Sequence, residues 1–446
     1  MDIGSIIFIV IFLASTGFFI YKAAQIIRII KMGRSVNRTD NKGERIKTMV
    51  RVALGQSKMV TKPIAGIMHI FIYVAFIITQ IELIEILVDG FTGEHRIFMP
   101  HLGDFYTFVI SFIEILSVLA LIATLVFLAR RNLLKVPRFV KSEMTGWPKL
   151  DGNIILYLEF ILVLCIFTMN GADEVLRLRG ESHAEGVGSL GFAVSSVIGP
   201  ALFGGMETET LHLLERIGWW GHFLVVMGFL CYLPFSKHLH ILWAFPNVYF
   251  SNLKPKGQFS NMESVTNEVK LMLDPNADPF AAPAAAEGEQ ATEPQKFGAK
   301  DVPDLTWVQI MNAYTCTECG RCTAACPANI TGKKLSPRKI MMDVRDRAEE
   351  LGAGLRKDKE YKDDKSLIGD YITEEELWAC TTCNACVQEC PVNIDPLSII
   401  VDLRRYLVME ESKIPAELVT MNTNIENNQA PWQFSPADRL NWKDEA

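Results

Sequence analysis

Apolar residues run for helix-length stretches five times along the chain, roughly 3–27, 63–88, 104–128, 153–172 and 217–243. A bilayer-spanning helix needs about 20 such residues, so five transmembrane helices are predicted. Charges separate the stretches unevenly. Nine basic residues from Lys31 to Lys62 lie between the first and second, and six from Arg130 to Lys149 between the third and fourth. The segment after the second has one, Arg96, and the segment after the fourth is acidic on balance. Basic loops stay cytoplasmic, which predicts an outside N-terminus and a cytoplasmic segment after the fifth span. The first stretch follows Asp2 rather than a basic region and lacks a small-x-small site, so it is expected to be a span rather than a cleaved signal.

Beyond the fifth span the pattern changes. Residues 251–304 read as a linker, with 274–304 rich in Ala, Pro and acidic residues. Residues 305–446 carry helical periodicity. Ser336-Pro337 opens a helix with Ile340, Met341, Val344, Ala348 and Leu351 on one face and Gly352 as its stop. Thr373 and Glu376 form a capping box, and Asp395-Pro396 starts a helix with Ile399, Ile400, Leu403 and Leu407 inward. Residues 46–58 mix Ile46, Val50 and Leu54 with Lys47, Arg51 and Lys58, as an amphipathic helix on the inner membrane surface does.

The 446 residues are 49% apolar and 21% charged, and the net charge of −7 suggests no nucleic-acid partner. Of ten cysteines, Cys165 and Cys231 stand alone in apolar segments and read as packing residues. Cys316, Cys319, Cys322 and Cys326 form C-x2-C-x2-C-x3-C-P, and Cys380, Cys383, Cys386 and Cys390 repeat it. In such runs three thiolates wrap one 4Fe-4S cluster and the fourth ligates the other. The expected sets are Cys316, Cys319, Cys322 and Cys390, then Cys380, Cys383, Cys386 and Cys326. Zinc sites would need paired cysteines instead.

Histidines inside lipid are costly and point to function. His69 lies in the second stretch, and His222, His238 and His240 in the fifth. On one continuous helix His222 and His240 share a face about 27 Å apart along the axis, with His238 about 160° away. Depth pairs His69 with His240 as axial ligands of an inner haem b, with His238 as fallback. His222 falls near the outer surface, with His101 as its expected partner. A single haem, with His101 and His222 lining a quinone pocket, is the alternative. Glu114, mid-span, is the candidate for proton exchange with a quinone, and Glu159 is a second intramembrane acid. Glu82 and Glu85 are expected near the outer surface and solvated, as are Arg177, Arg179 and Arg216.

Five spans and an 18-residue histidine pair resemble the gamma subunit of respiratory nitrate reductase, a di-haem b quinol oxidase. That family takes two ligands ten residues apart from span two. Here Thr79 and Met59 stand ten residues from His69, so half of the outer site is missing from that span. The motifs KPIAGIMH, WWGHF and YLPFSKHLHIL are similar to membrane cytochromes of the heterodisulfide reductase and flavoprotein:menaquinone oxidoreductase group. The cysteine region resembles the helical ferredoxin domain of heterodisulfide reductase and succinate dehydrogenase subunits.

The resemblance implies an all-α protein: a five-helix haem b bundle over 1–250, the linker, and an α-helical ferredoxin domain with two 4Fe-4S clusters over 305–446. It implies electron transfer between a cytoplasmic partner and menaquinone or another quinone in the bacterial inner membrane. No CCG motif occurs, and residues 424–442 resemble the segment preceding a CCG domain in fused relatives. The implied partner is a separate CCG-motif iron–sulfur protein or an electron-transfer flavoprotein. Reverse flow from quinol to a cytoplasmic disulfide or sulfur compound, or a scaffold with a structural haem, are the alternatives.

Overall fold

The computed structural model describes residues 3–181, 191–255, 257–275 and 296–444. Among them five helices are long and apolar enough to cross a membrane: span one Ile3–Ile30, span two Pro63–Thr92, span three Asp104–Asn132, span four Trp147–Leu178 and span five Thr208–Phe235. Their outward faces expose Val10, Leu13, Phe105, Phe108, Ile115 and Leu164, a belt that water would not tolerate. Span four packs along span five and span two along span three, while span one lies against span five and the second half of span two. Glycine permits the tightest of these contacts. A Cβ on Gly218 would lie 2.6 Å from Met169 N, and one on Gly221 would lie 2.9 Å from Cys165 Sγ.

Span five ends sooner than its apolar pattern suggests. Two 3-10 turns, Leu233–Phe235 and Lys237–Leu239, flank an extended Ser236 (φ −114°, ψ 149°), and a new helix runs over His240–Tyr249. Pro234 lacks the N–H that a continued helix needs, and Ser236 Oγ accepts from His238 N at 3.1 Å. The expected helical face shared by His222 and His240 is therefore broken. His238 and His240 instead sit side by side, ring centroids 5.6 Å apart and planes 28° from parallel.

The cysteine-bearing domain begins before residue 305. Ala299 and Val302 are fully buried in its core, so 296–304 belongs to it; the rest of the Ala/Pro-rich stretch, 276–295, lies outside the described residues. The helix Pro337–Lys357 runs through Gly352 rather than stopping there. Gly352 serves close packing: a Cβ would lie 2.5 Å from Ile29 Cδ1 of span one. Ser336, Thr373 with Glu376, and Asp395 cap their helices as the sequence predicts. The helix Lys42–Met49 and the π-helical turn Val50–Leu54 lie on protein as well as lipid surface. Val52 and Ala53 pack on Val248, and buried Arg45 donates to the carbonyls of Tyr249 and Ser251, both at 3.0 Å.

One hydrophobic core crosses the boundary, joining Ile26, Ile29 and Ile30 of span one to Ile310, Leu351 and Leu403 of the cysteine-bearing domain. Backbone bonds accompany it: Arg34 N to Leu305 O at 2.7 Å and Trp307 N to Arg34 O at 3.1 Å. Gly33 makes that approach possible, since a Cβ there would sit 2.6 Å from Trp307 N and 2.8 Å from Thr306 C, both backbone atoms that cannot move aside. Gly33→Val is expected to cost about 1–3 kcal/mol as an overpacked contact. Limited proteolysis should then release the cysteine-bearing domain faster than from the wild-type chain.

Candidate functional site

The two cysteine runs fold alike. Glu318 (φ 55°) and Thr382 (φ 53°) are left-handed, as are Gly320 (φ 72°) and Asn384 (φ 63°) at equivalent places. Left-handed Glu and β-branched Thr are uncommon and mark a built site. Here they turn backbone amides onto sulfur: Glu318 N donates to Cys316 Sγ and Thr382 N to Cys380 Sγ, each at 3.4 Å. Ile394 N donates to Cys390 Sγ at 3.3 Å.

Cys316, Cys319, Cys322, Cys386 and Cys390 line one cavity. Burial, then the charges of Glu318, Cys319 and Cys390, pushes the Cys316 thiol up to about 12. Burial likewise raises Cys390 to about 11. Cys326 acts electrostatically on Cys380 and Cys386 instead, so the fourth cysteine of each run faces the other run. Cys383 is exposed. Among the described residues no three His, Cys, Asp or Glu converge on a single-ion position. Soft thiols around a shared cavity, with amides aimed at sulfur, fit iron–sulfur clusters.

The membrane domain grips both runs. Lys58 Nζ donates to Val387 O at 3.3 Å and Cys390 O at 3.1 Å. Arg321 donates to Lys58 O at 2.9 Å and Met59 O at 3.2 Å. Fully buried Arg338 pairs with Glu143 at 2.7 Å and donates to Arg138 O at 2.6 Å. Glu318 bridges Lys237 and Arg345, and these cations hold its carboxyl below the usual range although burial pushes it upward. From the sequence, Lys58, Arg138 and their neighbours read only as orientation charges. Their number in the two basic loops is the signal that points to a second role.

Of the expected histidines, His69, His238 and His240 come together at the end of the spans that meets the cysteine domain, where His69 lies in electrostatic range of both others. His240 Nδ1 faces Lys237 O at 3.0 Å, which leaves Nε2 with its lone pair for a metal. The buried Nδ1 atoms of His69 and His238 have no hydrogen-bond partner among the described residues. That donor set fits axial ligation of haem.

His222 is buried in span five, whereas His101 is exposed on the short helix Met99–Leu102. His95, which the sequence sets behind His101 because it lies farther from the helix of span three, is the more enclosed imidazole there, 3.7 Å from Glu215 and 3.9 Å from Asp173. Glu82 and Glu85 are buried rather than solvated. They belong to a polar cluster around buried Arg96, which donates to Asp173 at 2.6 Å, Asn170 at 2.8 Å and Tyr106 at 2.9 Å. Tyr106 in turn donates to Glu85 at 2.6 Å. Glu114 joins through Asn170 (3.3 Å), accepts the amides of Val194 and Ser195 at 2.8 and 3.0 Å, and accepts the Ser195 hydroxyl. Glu159 accepts from Thr124 at 3.3 Å. Arg177 and Arg216 pair with the buried Glu174 and Glu215.

Residues 315–394 match the family described as a 4Fe-4S dicluster domain. The chain is 29% identical, over 99% of its own length and 61% of the relative's, to a Bacillus subtilis protein named "Probable iron-sulfur-binding oxidoreductase FadF". It is 27% identical, over 92% of itself and 55% of the relative, to the Syntrophomonas wolfei "EtfAB:quinone oxidoreductase". Over 24% of the chain and 52% of the relative it is 32% identical to one subunit of the ferredoxin/F(420)H(2)-dependent CoB-CoM heterodisulfide reductase of Methanosarcina acetivorans. The chain thus spans less than two thirds of the two relatives that match nearly all of it. No solved structure matches it. The chain carries a dicluster iron–sulfur domain beside membrane-length helices, and its long relatives are named as oxidoreductases.

Because burial keeps Cys316 and Cys390 as neutral thiols up to about pH 12 and 11, loading the metal must release protons. Reconstitution of the metal-free protein with iron and sulfide is expected to quicken as pH rises from about 7 to 9. Absorbance of the cluster, followed against pH, checks this.

Proposed function

We propose that the chain is a membrane electron-transfer subunit working between a cytoplasmic redox partner and the quinone pool. The observation that carries it is one continuous packed connection from the cysteine cavity to the half-buried histidines at the inner end of the spans. In this reading Cys316, Cys319, Cys322 and Cys390 hold one cluster, and Cys380, Cys383, Cys386 and Cys326 the other. His69 and His240 are the inner axial pair and His222 an outer ligand; the exposure of His101 weighs against it as partner. When bound, the clusters and haem b supply one-electron carriers in series, the first kind in the cytoplasm and the second within lipid.

The chain's own groups do the rest. Backbone amides of Glu318, Thr382 and Ile394 donate to ligand sulfur, which stabilises its negative charge. Lys237 O holds the His240 ring with Nε2 free. The Arg96 cluster, with Glu85, Asp173 and Glu114, holds protons where quinone chemistry would exchange them. The loop charges support a cytoplasmic ferredoxin domain and an outside N-terminus. The relative named as an EtfAB:quinone oxidoreductase supports an electron-transfer flavoprotein as partner, and the heterodisulfide reductase likeness supports a CCG-motif protein. Of the two, the longer likeness favours the flavoprotein.

Reduced naphthoquinone added to the purified, membrane-extracted protein is expected to produce a reduced b-type spectrum before any partner is present. His69→Ala and His240→Ala should each abolish that spectrum while both clusters persist in electron paramagnetic resonance, and His238→Ala should keep it. A protein with both clusters loaded and no b-type haem would refute the reading.

A further inference from the structure

We propose that Lys237 is a positioning residue that fixes the first cluster's loop to the His240 imidazole, and that its ammonium and the Glu318 carboxylate set that cluster's reduction potential against the second's. The inference rests on the proposed ligand roles of Cys316, Cys319, Cys322, Cys390 and His240.

Lys237 occupies the 3-10 turn Lys237–Leu239, between span five and the helix His240–Tyr249, and is buried. Every polar group it has is engaged. Its backbone N–H donates to Asp151 Oδ2 at 3.0 Å, and its ammonium donates to Pro148 O at 2.7 Å and to Glu318 Oε2. Its carbonyl faces His240 Nδ1 at 3.0 Å. Asp151 is itself anchored by the Tyr232 hydroxyl at 2.5 Å, so the turn is held from spans four and five together.

Glu318 completes the bridge from the other side. It stands between Cys316 and Cys319, is 2% exposed, and its N–H donates to Cys316 Sγ at 3.4 Å. A thiolate, an amide, a carboxylate, an ammonium, a carbonyl and an imidazole N–H thus follow one another through only two residues. Both charges are buried, and Glu318 holds Arg345 as a second cation at 2.7 Å, so loss of Lys237 removes one of its two partners. A charge held at that range acts on the potential of the nearer cluster. The equivalent place in the second run is Thr382, which carries no charge and sits beside exposed Cys383.

The test is a potentiometric titration of the full chain with both clusters loaded, read by electron paramagnetic resonance, in Lys237→Met, Glu318→Gln and Lys237→Arg. Lys237→Met should lower the potential of the first cluster and Glu318→Gln should raise it, with the second cluster unmoved in both. Lys237→Arg should stay near wild type. A purely structural tie would not give shifts of opposite sign at one cluster. Equal shifts at both clusters, shifts of the same sign, or none would overturn the proposal. Should Lys237→Met fail to load, Glu318→Gln alone decides, by whether the first cluster moves and the second does not. Haem content is measured on the same samples, so a haem-free protein would count against the proposed function while the cluster potentials still judge this inference.

Discussion

The structure depends on pairing buried charge across the boundary between the spans and the cysteine domain. Glu318 belongs to the cysteine domain and Lys237 to the turn after span five; Arg338 belongs to the former and Glu143 to the loop after span three. All four side chains are largely or wholly out of water. Losing one partner of such a pair costs about 3–5 kcal/mol, because the other charge is left uncompensated. Carbonyls obey the same rule: those of Lys58, Met59 and Arg138 are met by arginines from the cysteine domain. Neither part satisfies its polar groups alone, so the two fold against each other as one body.

The opposite end of the bundle solves its charge problem internally. Arg96 gathers Asp173, Asn170 and Tyr106, and through them Glu85 and Glu114, from three different spans. Glu114 also caps the helix Ser195–Phe203 from the side, which explains a carboxylate at a fully buried position. Here hydrogen bonds, rather than contact with a second domain, hold the helices in register. The end that meets the cysteine domain is a joint and the opposite end a lock.

What was legible in the sequence followed from rules in which one effect outweighs all others. Twenty apolar residues have few alternatives to a span, and the C-x2-C-x2-C-x3-C-P spacing has few alternatives to a shared cluster fold. Capping at Ser336, Thr373 and Asp395 was readable because it is local. The misses came where tertiary contact outweighed local preference. Gly352 reads as a stop, yet Ile29 of a distant helix needs the space it leaves. Glu82 and Glu85 read as surface acids because nothing nearby in sequence reveals that a loop arginine turns inward. The break after Phe235 was written in Pro234 and Ser236, but apolar continuity through Leu239 and Ile241 masked it.

The two cysteine runs are the clearest case of a repeat whose differences carry meaning. Their backbones match at two left-handed positions in each run and in the amide donated to the first sulfur, so the shared residues answer to a shared cofactor geometry. They diverge in what surrounds that geometry. Glu318, Gly320 and Arg321 in the first run meet Lys237, the Arg138 side chain and the Lys58–Met59 carbonyls. Thr382 and Asn384 in the second stand beside a cysteine open to solvent. A left-handed position normally selects glycine, asparagine or aspartate, so a glutamate there carries a conformational cost. The ion pairs with Lys237 across the boundary and with Arg345 in its own domain offset it. Lys58 reaches the carbonyls of the second run as well, but the first run buries an ion pair against the spans while the second leaves Cys383 open to solvent.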